Sequence, residues 1–348
     1  IMTLNISPES KVGKINNWDA NKFIKGEVDT YTIGDDTITK ENLRKYLDDS
    51  KFSVSSNGVL YRTDSVGCIP GILDLWFQQR VEYKNEMKKY GKAGNKAKYA
   101  FFHKRQLVQK ILLNSLYGVL GLPAFRFYDI DNAEAVTTTG QTVIKSTADM
   151  GNIKYNKELG EKDLDSNIYI DTDSVFFSAV PLMDKRYPNW KEQDQDTIAG
   201  YVNDIAEEMQ DYLNDFYDIL SQKVLNVDKD KHRLEIKKEY VAKAGLWIAK
   251  KRYAQWIISD NGVPCDKLDV KGLDVKRSSF PKAFQEIMSD VLISILRGQT
   301  EDEISDKVLS FKKSMVELDI KDIAKNSAVK NLTKYMPKKG KRQLFSIM

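Results

Sequence analysis

The alternation of apolar and polar residues divides the chain into segments that predict both helices and strands. Two segments with helical periodicity, residues 72–90 and 96–116, flank the helix-breaking stretch G-K-A-G-N at residues 91–95. Together they predict an antiparallel helical hairpin. Residues 196–225 carry apolar side chains at helical spacing and predict a long amphipathic helix that packs one face into a core.

Shorter segments have the alternation and turn chemistry of β-hairpins. Residues 167–178 and 246–259 each predict a strand, a tight turn and a second strand, and residues 268–273 predict one more strand. After residue 279 the pattern is helical again, with a capping box T-E-D-E at residues 300–303. This succession of elements is typical of an α+β fold with all-helical appendages.

Length and composition narrow the class of protein. A chain of 348 residues with 41% hydrophobic residues predicts two or three structural units. The charged fraction of 30% and the lack of an apolar stretch of ~20 residues argue against a membrane protein. Cys68 and Cys265 are far apart in sequence, which argues against a cysteine-based zinc site and a disulfide framework. We therefore expect a reducing, intracellular setting.

The net charge of +4 is small, but the basic residues are clustered. Residues 76–110 contain ten Lys or Arg against two Glu, residues 237–252 contain six against one Glu, and residues 325–342 contain seven and no acidic residue. Each run alone is typical of a solvated surface. The three runs together favour a surface that binds a polyanion.

One face of the second predicted helix combines side chains that bind anions, form hydrogen bonds and stack. Five of them recur at intervals of three or four residues, which places them on one helix face. They are His103, Gln106, Lys110, Asn114 and Tyr117. On the opposite face we expect a buried aliphatic side formed by Val108, Ile111, Leu112 and Leu116. Taken alone, the pattern is more typical of an ordinary amphipathic surface helix.

The first predicted helix adds cations to this surface. Arg80 and Lys84 are four residues apart and therefore share a face. If the hairpin folds about Ala93, Arg80 lies opposite Gln106, and Lys110 lies about 6 Å further from the turn. Three fixed cations within that span predict a site for a triphosphate, because Arg and Lys both bind phosphate oxygens.

Two carboxylates lie in the predicted turn of residues 167–178. The string Y-I-D-T-D-S at residues 169–174 places Asp171 and Asp173 at the rim of a hairpin with apolar flanks. An isolated pair of turn aspartates is usually structural. Close carboxylates repel each other unless a cation is bound, and Mg²⁺ binds one or two carboxylates together with substrate phosphates. The turn therefore predicts a site for two Mg²⁺ ions in a phosphoryl transfer.

A second charged turn, K-K-R-Y at residues 250–253, joins the strands predicted within residues 246–259. Solubility alone normally explains a charged turn. Beside a site that handles phosphates, the same cations are suited to holding a nucleic-acid backbone near the reacting end.

Three strings, in this order and spacing, resemble the motifs of family B DNA polymerases, and the chain looks most like those of T-even-type bacteriophages. K-x-x-x-N-S-L-Y-G at residues 110–118 resembles the fingers motif of the family. Y-I-D-T-D-S at residues 169–174 resembles its palm metal motif, and K-K-R-Y at residues 250–253 resembles its primer-grip motif. Weaker similarity at three further strings extends the resemblance over nearly the whole chain.

The resemblance implies a template-directed DNA polymerase that uses primer-template DNA, dNTPs and two Mg²⁺ ions. Asn114 then supports the triphosphate site, and Asp173 is the surer metal ligand, with Asp171 nearby. Catalysis is expected to involve Asp173, Asp171 and Lys110. The implied nucleotide-binding residues are Arg80, Lys84, Lys110, Asn114, Tyr117 and Gly118, and the implied primer-binding residues are Lys250, Lys251, Arg252 and Tyr253.

The resemblance also implies an arrangement of domains and a location. Residues 1–70 are expected to form the N-terminal segment of the palm, residues 71–118 the fingers, residues 119–280 the rest of the palm and residues 281–348 a partial thumb. A phage polymerase of this kind acts in the cytoplasm of the infected bacterium.

One departure from the family predicts that this chain is inactive or weakly active by itself. The motif D-x-x-S-L-Y-P-S-I, which supplies another metal-binding Asp and a Tyr that excludes ribonucleotides, is expected immediately upstream of Ile1, and the exonuclease domain is also absent. An alternative is therefore a DNA- and nucleotide-binding half of a split polymerase that needs a second polypeptide, and a truncated or incomplete polymerase is an equal alternative. An RNA polymerase is a third hypothesis, since only the resemblance favours DNA synthesis.

Overall fold

The computed structural model describes residues 1–325, which form two compact units. The first unit contains Ile1–Gln193 and Tyr201–Lys238, and the second contains Asp194–Gly200 and the described chain from Glu239 onward. Both units combine helices with antiparallel strands, as an α+β fold requires.

The first unit contains three separate small sheets. Its strands are β1 (Lys11–Lys14), β2 (Thr30–Ile33), β3 (Asp36–Thr39), β4 (Phe52–Val54), β5 (Val59–Arg62), β6 (Asn167–Asp171) and β7 (Ser174–Phe177). One sheet has the order β1-β5-β4, whereas β2-β3 and β6-β7 are two-stranded hairpins. All pairs are antiparallel.

The first unit also contains helices of very different lengths. They are α1 (Ala20–Lys25), α2 (Lys40–Ser50), α3 (Cys68–Lys92), α4 (Lys96–Leu120), α5 (Ile130–Leu159), α6 (Val180–Arg186) and α7 (Gln195–Lys223), whose residues up to Gly200 belong to the second unit. A 3₁₀ turn at Trp190–Glu192 precedes α7. The helix predicted at residues 72–90 begins earlier, at Cys68. Pro70 is tolerated there because it falls in the first turn, where backbone amides have no partner within the helix.

The core of the first unit holds α5 in a fixed position. Leu220 of α7 and Val224, just after that helix, pack in one buried cluster with Ala135 of α5 and Tyr61 of β5. Inside that cluster the Tyr61 hydroxyl donates a hydrogen bond to Asn132 Oδ1 at 2.8 Å. This bond satisfies the buried hydroxyl of Tyr61. These contacts attach α5 to β5 and to α7.

The antiparallel hairpin of α3 and α4 is anchored at one end. Ile69, Leu73 and Leu120 form a buried cluster at its base, with Leu113 and Leu116 packed against them. Toward the tip, the side chains of α3 and α4 contact each other instead. The predicted helical hairpin is confirmed, and α4 extends four residues beyond the predicted end at residue 116.

The second unit is a sheet covered by helices. Its strands are β8 (Tyr240–Ala249), β9 (Arg252–Asp260) and β10 (Val263–Lys271), in the order β10-β9-β8. Its helices are α8 (Lys282–Leu296), α9 (Glu301–Ser314) and α10 (Ile320–Ile323), with 3₁₀ turns at Asp274–Lys276 and Met315–Glu317. Leu292 and Leu296 of α8 pack with Ala254 and Val270 of the sheet.

Most elements predicted from the sequence are present, including both β-hairpins and the long helix α7. The capping box at the start of α9 has both of its hydrogen bonds: the side chain of Thr300 accepts from the Glu303 amide, and the side chain of Glu303 accepts from the Thr300 amide. The basic run of residues 325–342 and the end of the segment 281–348 lie outside the described residues, apart from Lys325 and the helices already given.

Candidate active site

Arg80, Lys84 and Lys110 form a group of cations on the helical hairpin. Arg80 and Lys84 lie about one turn apart on α3, and Lys110 is on α4. The pKa of Lys84 is below its usual value, first because the ammonium is partly desolvated and then because Arg80, Lys88 and Lys110 repel its charge. Within residues 1–325, none of the three pairs with a carboxylate. The group therefore carries positive charge that a polyanion could neutralise.

Arg80 also has an unsatisfied buried donor. Its Nε is buried and has no hydrogen-bond partner among residues 1–325. Leaving a buried polar group unpaired costs about 1–3 kcal/mol, and a charged group costs more. An oxygen ligand at this position would remove that cost, which fits a phosphate group.

Lys88 belongs to the same group, although its role is not predicted from the sequence. It lies one further turn along α3 and lowers the pKa of Lys84 through its charge. Its spacing of four residues after Lys84 is the sequence signal that could have identified it.

Side-chain hydrogen bonds across the helical hairpin fix its register. The bonded pairs are Gln79 with Gln109 (2.7 Å), Tyr83 with Arg105 (3.3 Å) and Tyr90 with Lys98 (3.3 Å). All three are centred on Gly94, one residue beyond the expected Ala93. Arg80 is therefore level with Val108 instead of Gln106. Lys110 lies only about 3 Å further from the turn than Arg80, so the predicted 6 Å was too long.

The prediction of a buried aliphatic face on α4 is wrong. Val108 and Ile111 are 55% and 56% exposed, Leu112 is also exposed, and Leu116 is only partly buried. Gln106, expected on the ligand face, is instead 9% exposed. The hairpin is two helices thick, so each helix buries only the side that meets the other. No described element covers the remaining face.

The other predicted nucleotide-binding residues follow Lys110 along α4. Asn114 and Tyr117 are exposed, and Tyr117 and Gly118 lie within the helix instead of after its end. A Cβ atom at Gly118 would meet nothing within 4 Å. The surface beside Gly118 is therefore open, and the role of these three residues stays a prediction.

The carboxylate turn, residues 171–174, joins β6 to β7. Asp171 pairs with Ser174, so Thr172 and Asp173 form the two-residue loop. Asp171 is partly buried, whereas Asp173 is exposed. The Asp173 amide donates to Asp171 O at 2.6 Å, and Ser174 Oγ donates to the same oxygen at 3.1 Å. These bonds fix the backbone between the two carboxylates.

Thr172 gives this turn a strained backbone. Its φ of 54° lies in the left-handed region, which a β-branched residue rarely adopts. Such a conformation costs about 1–3 kcal/mol and persists only where the surrounding structure enforces it. The strain is therefore evidence that the flanking strands hold the turn firmly.

The donor set of the carboxylate turn suits a hard cation. Asp171 and Asp173 offer carboxylate oxygens two residues apart, and Mg²⁺ commonly takes one or two carboxylates together with phosphate oxygens. Within residues 1–325 no group of three or more His, Cys, Asp or Glu is arranged to hold a metal ion. The residues thus fit part of a magnesium site that also uses ligands from a substrate.

The basic turn, residues 249–252, joins β8 to β9 in the second unit. Ala249 pairs with Arg252, so Lys250 and Lys251 form the loop. Both lysines and Arg252 are exposed, whereas Tyr253 is only 4% exposed. The cations are therefore placed for a ligand. Tyr253 is instead buried, and its predicted contact with DNA stays a prediction.

Gly272 supports the basic turn and was missed by the sequence analysis. A Cβ atom at Gly272 would overlap the carbonyl oxygen of Lys251 and lie 3.1 Å from its carbonyl carbon. Gly272 also has a φ of 64°, and Lys251 has a φ of 60°. A glycine directly after a strand was the available signal, because a backbone position needing positive φ favours glycine.

The structure thus brings the predicted residues together in three groups. The cations of the helical hairpin and the carboxylate turn belong to the first unit, and the basic turn belongs to the second. Within residues 1–325, no helix is long and apolar enough to cross a membrane.

A comparison with family models matches DNA polymerase family B over residues 21–186 and 204–343. The matched residues include the cation group, the carboxylate turn and the basic turn. They cover more than half of the chain.

Individual polymerases show the same similarity. The DNA-directed DNA polymerase of Enterobacteria phage T4 is 31% identical over 66% of this chain and 26% of its own length. That of Escherichia phage RB69 is 26% identical over 82% of this chain and 37% of its own length. The DNA polymerase of Thermococcus gorgonarius is 28% identical over 79% of this chain and 29% of its own length. The matched region thus spans between 26% and 37% of the length of each relative.

Proposed function

Since this chain belongs to DNA polymerase family B, we propose that it forms the nucleotide-adding region of a template-directed DNA polymerase. In this role it transfers deoxynucleotides from dNTPs to the 3′ end of a primer paired with a template strand. The observation that carries the proposal is the unpaired cation group of Arg80, Lys84 and Lys110. It lies in the same unit as the carboxylates Asp171 and Asp173.

The cation group binds the triphosphate of the incoming dNTP. The Arg80 guanidinium donates to phosphate oxygens and satisfies its buried Nε, while Lys84 and Lys110 contribute charge. Asn114 supports the same site, and Tyr117 and Gly118 line the pocket for the nascent base pair. In the family's terms, the helical hairpin is the fingers, whose closure on the nucleotide excludes water from the reaction.

The carboxylate turn orients the reacting groups. The primer 3′-hydroxyl attacks the α-phosphorus, the bond from phosphorus to the bridging oxygen breaks, and pyrophosphate leaves. Asp171 and Asp173 would hold the two Mg²⁺ ions together with phosphate oxygens. When bound, the metal neutralises charge that develops on the attacking and leaving oxygens. Asp173, the exposed member of the pair, is the principal ligand.

The basic turn holds the primer strand. Lys250, Lys251 and Arg252 are exposed cations on a rigid hairpin and are suited to phosphates of the backbone. Such contacts position the primer without reading its sequence. Tyr253, the buried residue that follows this turn, is the fourth proposed primer-binding residue.

These roles assign parts of the chain to the domains of a polymerase. Residues 1–70 and 119–280 form the palm, residues 71–118 the fingers and residues 281–348 the start of the thumb. We place the protein among polymerases of T-even-type phages, on the similarity to the T4 and RB69 enzymes. It would then act in the cytoplasm of the infected bacterium.

A second candidate function is binding of DNA and nucleotide without autonomous catalysis. The observation that favours it is that no three potential metal ligands converge within residues 1–325. In this case a second polypeptide supplies a further carboxylate. We expect little or no primer extension by the chain alone in Mg²⁺ with primer-template and dNTPs. Robust extension without a partner would rule out this second candidate.

Asp173→Ala tests the proposal directly, in whichever assembly supports extension with the unchanged chain. We expect nearly complete loss of primer extension with unchanged affinity for primer-template, because a metal ligand is lost while the DNA contacts remain. Asp35→Ala is the control, since Asp35 is an exposed aspartate in another hairpin turn. Full extension by Asp173→Ala would contradict the proposed function.

A further inference from the structure

The hairpin that carries Asp171 and Asp173 has little support of its own. It consists of β6 and β7 alone, and no third described strand extends it. An isolated two-stranded hairpin is at best marginally stable in water. Yet its turn holds Thr172 in a strained conformation, which requires firm flanking structure. Contacts with α5 provide one source of that support.

Side chains on one face of α5 form hydrogen bonds to the residues that precede β6. Asn156 Nδ2 donates to Leu164 O at 3.0 Å, and Asn156 Oδ1 accepts from the Leu164 amide at 2.9 Å. One turn earlier, Asn152 Oδ1 accepts from the Ser166 amide at 3.0 Å, and its Nδ2 donates to Asp165 Oδ1 at 2.8 Å. Two asparagines thus fix three successive residues before β6.

The same face of α5 receives the other end of the hairpin. Phe177, the last residue of β7, packs against Gly151 so closely that a Cβ atom there would lie 2.6 Å from Cε1 and would overlap Cζ. The Tyr155 ring, 2% exposed, stacks on Phe177 with centroids 6.0 Å apart. The Ser178 amide then donates to Ser166 O at 2.8 Å, which joins the two ends.

The strand geometry carries this attachment to the turn. Phe177 lies three residues from Ser174, about 10 Å along an extended strand. The register shifts between Asn167 and Tyr169, and the pairs Tyr169–Phe176 and Ile170–Val175 then continue without a break to the turn. A displacement of Phe177 away from α5 is therefore expected to move the turn.

We propose that Gly151, Asn152 and Asn156 of α5 are positioning residues that set where the carboxylates of Asp171 and Asp173 stand. The α5 mount, defined as these three residues with Tyr155, touches both ends of the hairpin and neither carboxylate. This inference rests on the proposed function of the two carboxylates as metal ligands. Ordinary packing of the hairpin on α5 would require only apolar contacts. It would not require the hydrogen bonds of Asn152 and Asn156 before β6, or a glycine at position 151 opposite Phe177.

Gly151→Ala tests the mount by adding one methyl group under Phe177. We expect Mn²⁺ affinity, measured by electron paramagnetic resonance with non-extendable primer-template and dNTP present, to fall about 10- to 100-fold, as for other changes to groups that support metal ligands. The matched control is Gly200→Ala on α7, where a Cβ meets nothing within 4 Å. It should leave Mn²⁺ affinity unchanged.

A second substitution separates positioning from general damage. Phe177→Leu removes the ring atoms that collide with a Cβ at position 151, so the double variant Gly151→Ala with Phe177→Leu should regain most of the Mn²⁺ affinity. If Gly151→Ala alone does not fold, Asn152→Ala serves instead, with Asn85→Ala on α3 as its control. We expect Asn152→Ala to weaken Mn²⁺ binding several-fold while Asn85→Ala does not.

The outcomes distinguish the mount from the proposed function. Unchanged Mn²⁺ affinity in folded Gly151→Ala or Asn152→Ala, beside a large loss in Asp173→Ala, would overturn the mount alone. Unchanged Mn²⁺ affinity and unchanged extension in Asp173→Ala would overturn the proposed function, and the mount with it. Loss in Gly151→Ala without recovery in the double variant would contradict the steric argument.

Discussion

The carboxylate turn and the basic turn are built alike but supported differently. Each is a two-residue loop with one non-glycine residue in the left-handed region, Thr172 in one and Lys251 in the other. Each also depends on a glycine elsewhere in its unit, Gly151 or Gly272, that leaves room for the hairpin.

The difference lies in the sheet behind each turn. The basic turn joins two strands of a three-stranded sheet with a buried cluster of its own, whereas the carboxylate turn stands on two strands alone. The two-stranded sheet of the carboxylate turn is supported by side-chain hydrogen bonds from α5. At the basic turn, the support is the close contact of Gly272 with the Lys251 backbone. The same local turn can therefore be fixed by two kinds of tertiary support.

The proposed roles of the two turns predict unequal effects of neutralising a charge. Asp171→Asn should lower the rate of primer extension at least about a thousandfold, ~4 kcal/mol, because a metal ligand acts in the transition state. Arg252→Gln should mainly weaken primer binding, because it removes one phosphate contact. Steady-state kinetics with varied primer-template separates the two effects. Equal losses of maximal rate in both variants would contradict the assignment.

Substitution of Gly272, which supports the basic turn, should destabilise the protein more than substitution of the nearby Gly262. Gly272→Ala should lower the free energy of unfolding by about 2–3 kcal/mol, because a methyl group meets the Lys251 backbone and φ is positive. Gly262→Ala should cost only about 1 kcal/mol, since its φ of 78° is similar but a Cβ there meets nothing within 4 Å.

Urea unfolding of both glycine variants measures this difference. A similar loss at Gly262 would show that positive φ alone accounts for the cost. The steric part of the argument would then be wrong, and the basic turn would need no close backbone support.

Local signals in the sequence predicted both turns and the elements around them. Apolar flanks and turn-forming residues located β6–β7 and β8–β9, and the G-K-A-G-N stretch located the turn between α3 and α4. These features depend on interactions within a few residues, which are visible in the sequence.

The features that were missed depend on residues distant in the chain. Gly151 meets Phe177 across 26 positions, and no local pattern marks that contact. The exposure of Val108 and Ile111 likewise depends on what covers α4, which periodicity does not determine. Periodicity identifies an apolar face, but it does not supply the partner that would bury it.

Salt dependence provides a further comparison of charge at the two turns. Lys250→Gln should reduce the slope of log affinity for primer-template against log salt concentration by about 0.9, because one phosphate contact is lost. Asp173→Asn should leave that slope nearly unchanged, since the carboxylate is proposed to bind metal and not DNA. Filter binding over a range of KCl concentrations measures both slopes. A larger change in Asp173→Asn would place DNA phosphates at the carboxylate turn.

The smallest expected effect concerns the strained residue in each turn. Thr172→Gly should raise the free energy of unfolding by about 1 kcal/mol, because glycine removes the clash of a β-branched side chain at φ 54°. Lys251→Gly should raise the free energy of unfolding by less, about 0–0.5 kcal/mol, since Lys is not β-branched and glycine adds entropy to the unfolded chain. Shifts of the urea midpoint at constant slope measure both changes. If Lys251→Gly gained as much as Thr172→Gly, the greater strain would not lie at the carboxylate turn, and the need for the α5 mount would weaken accordingly.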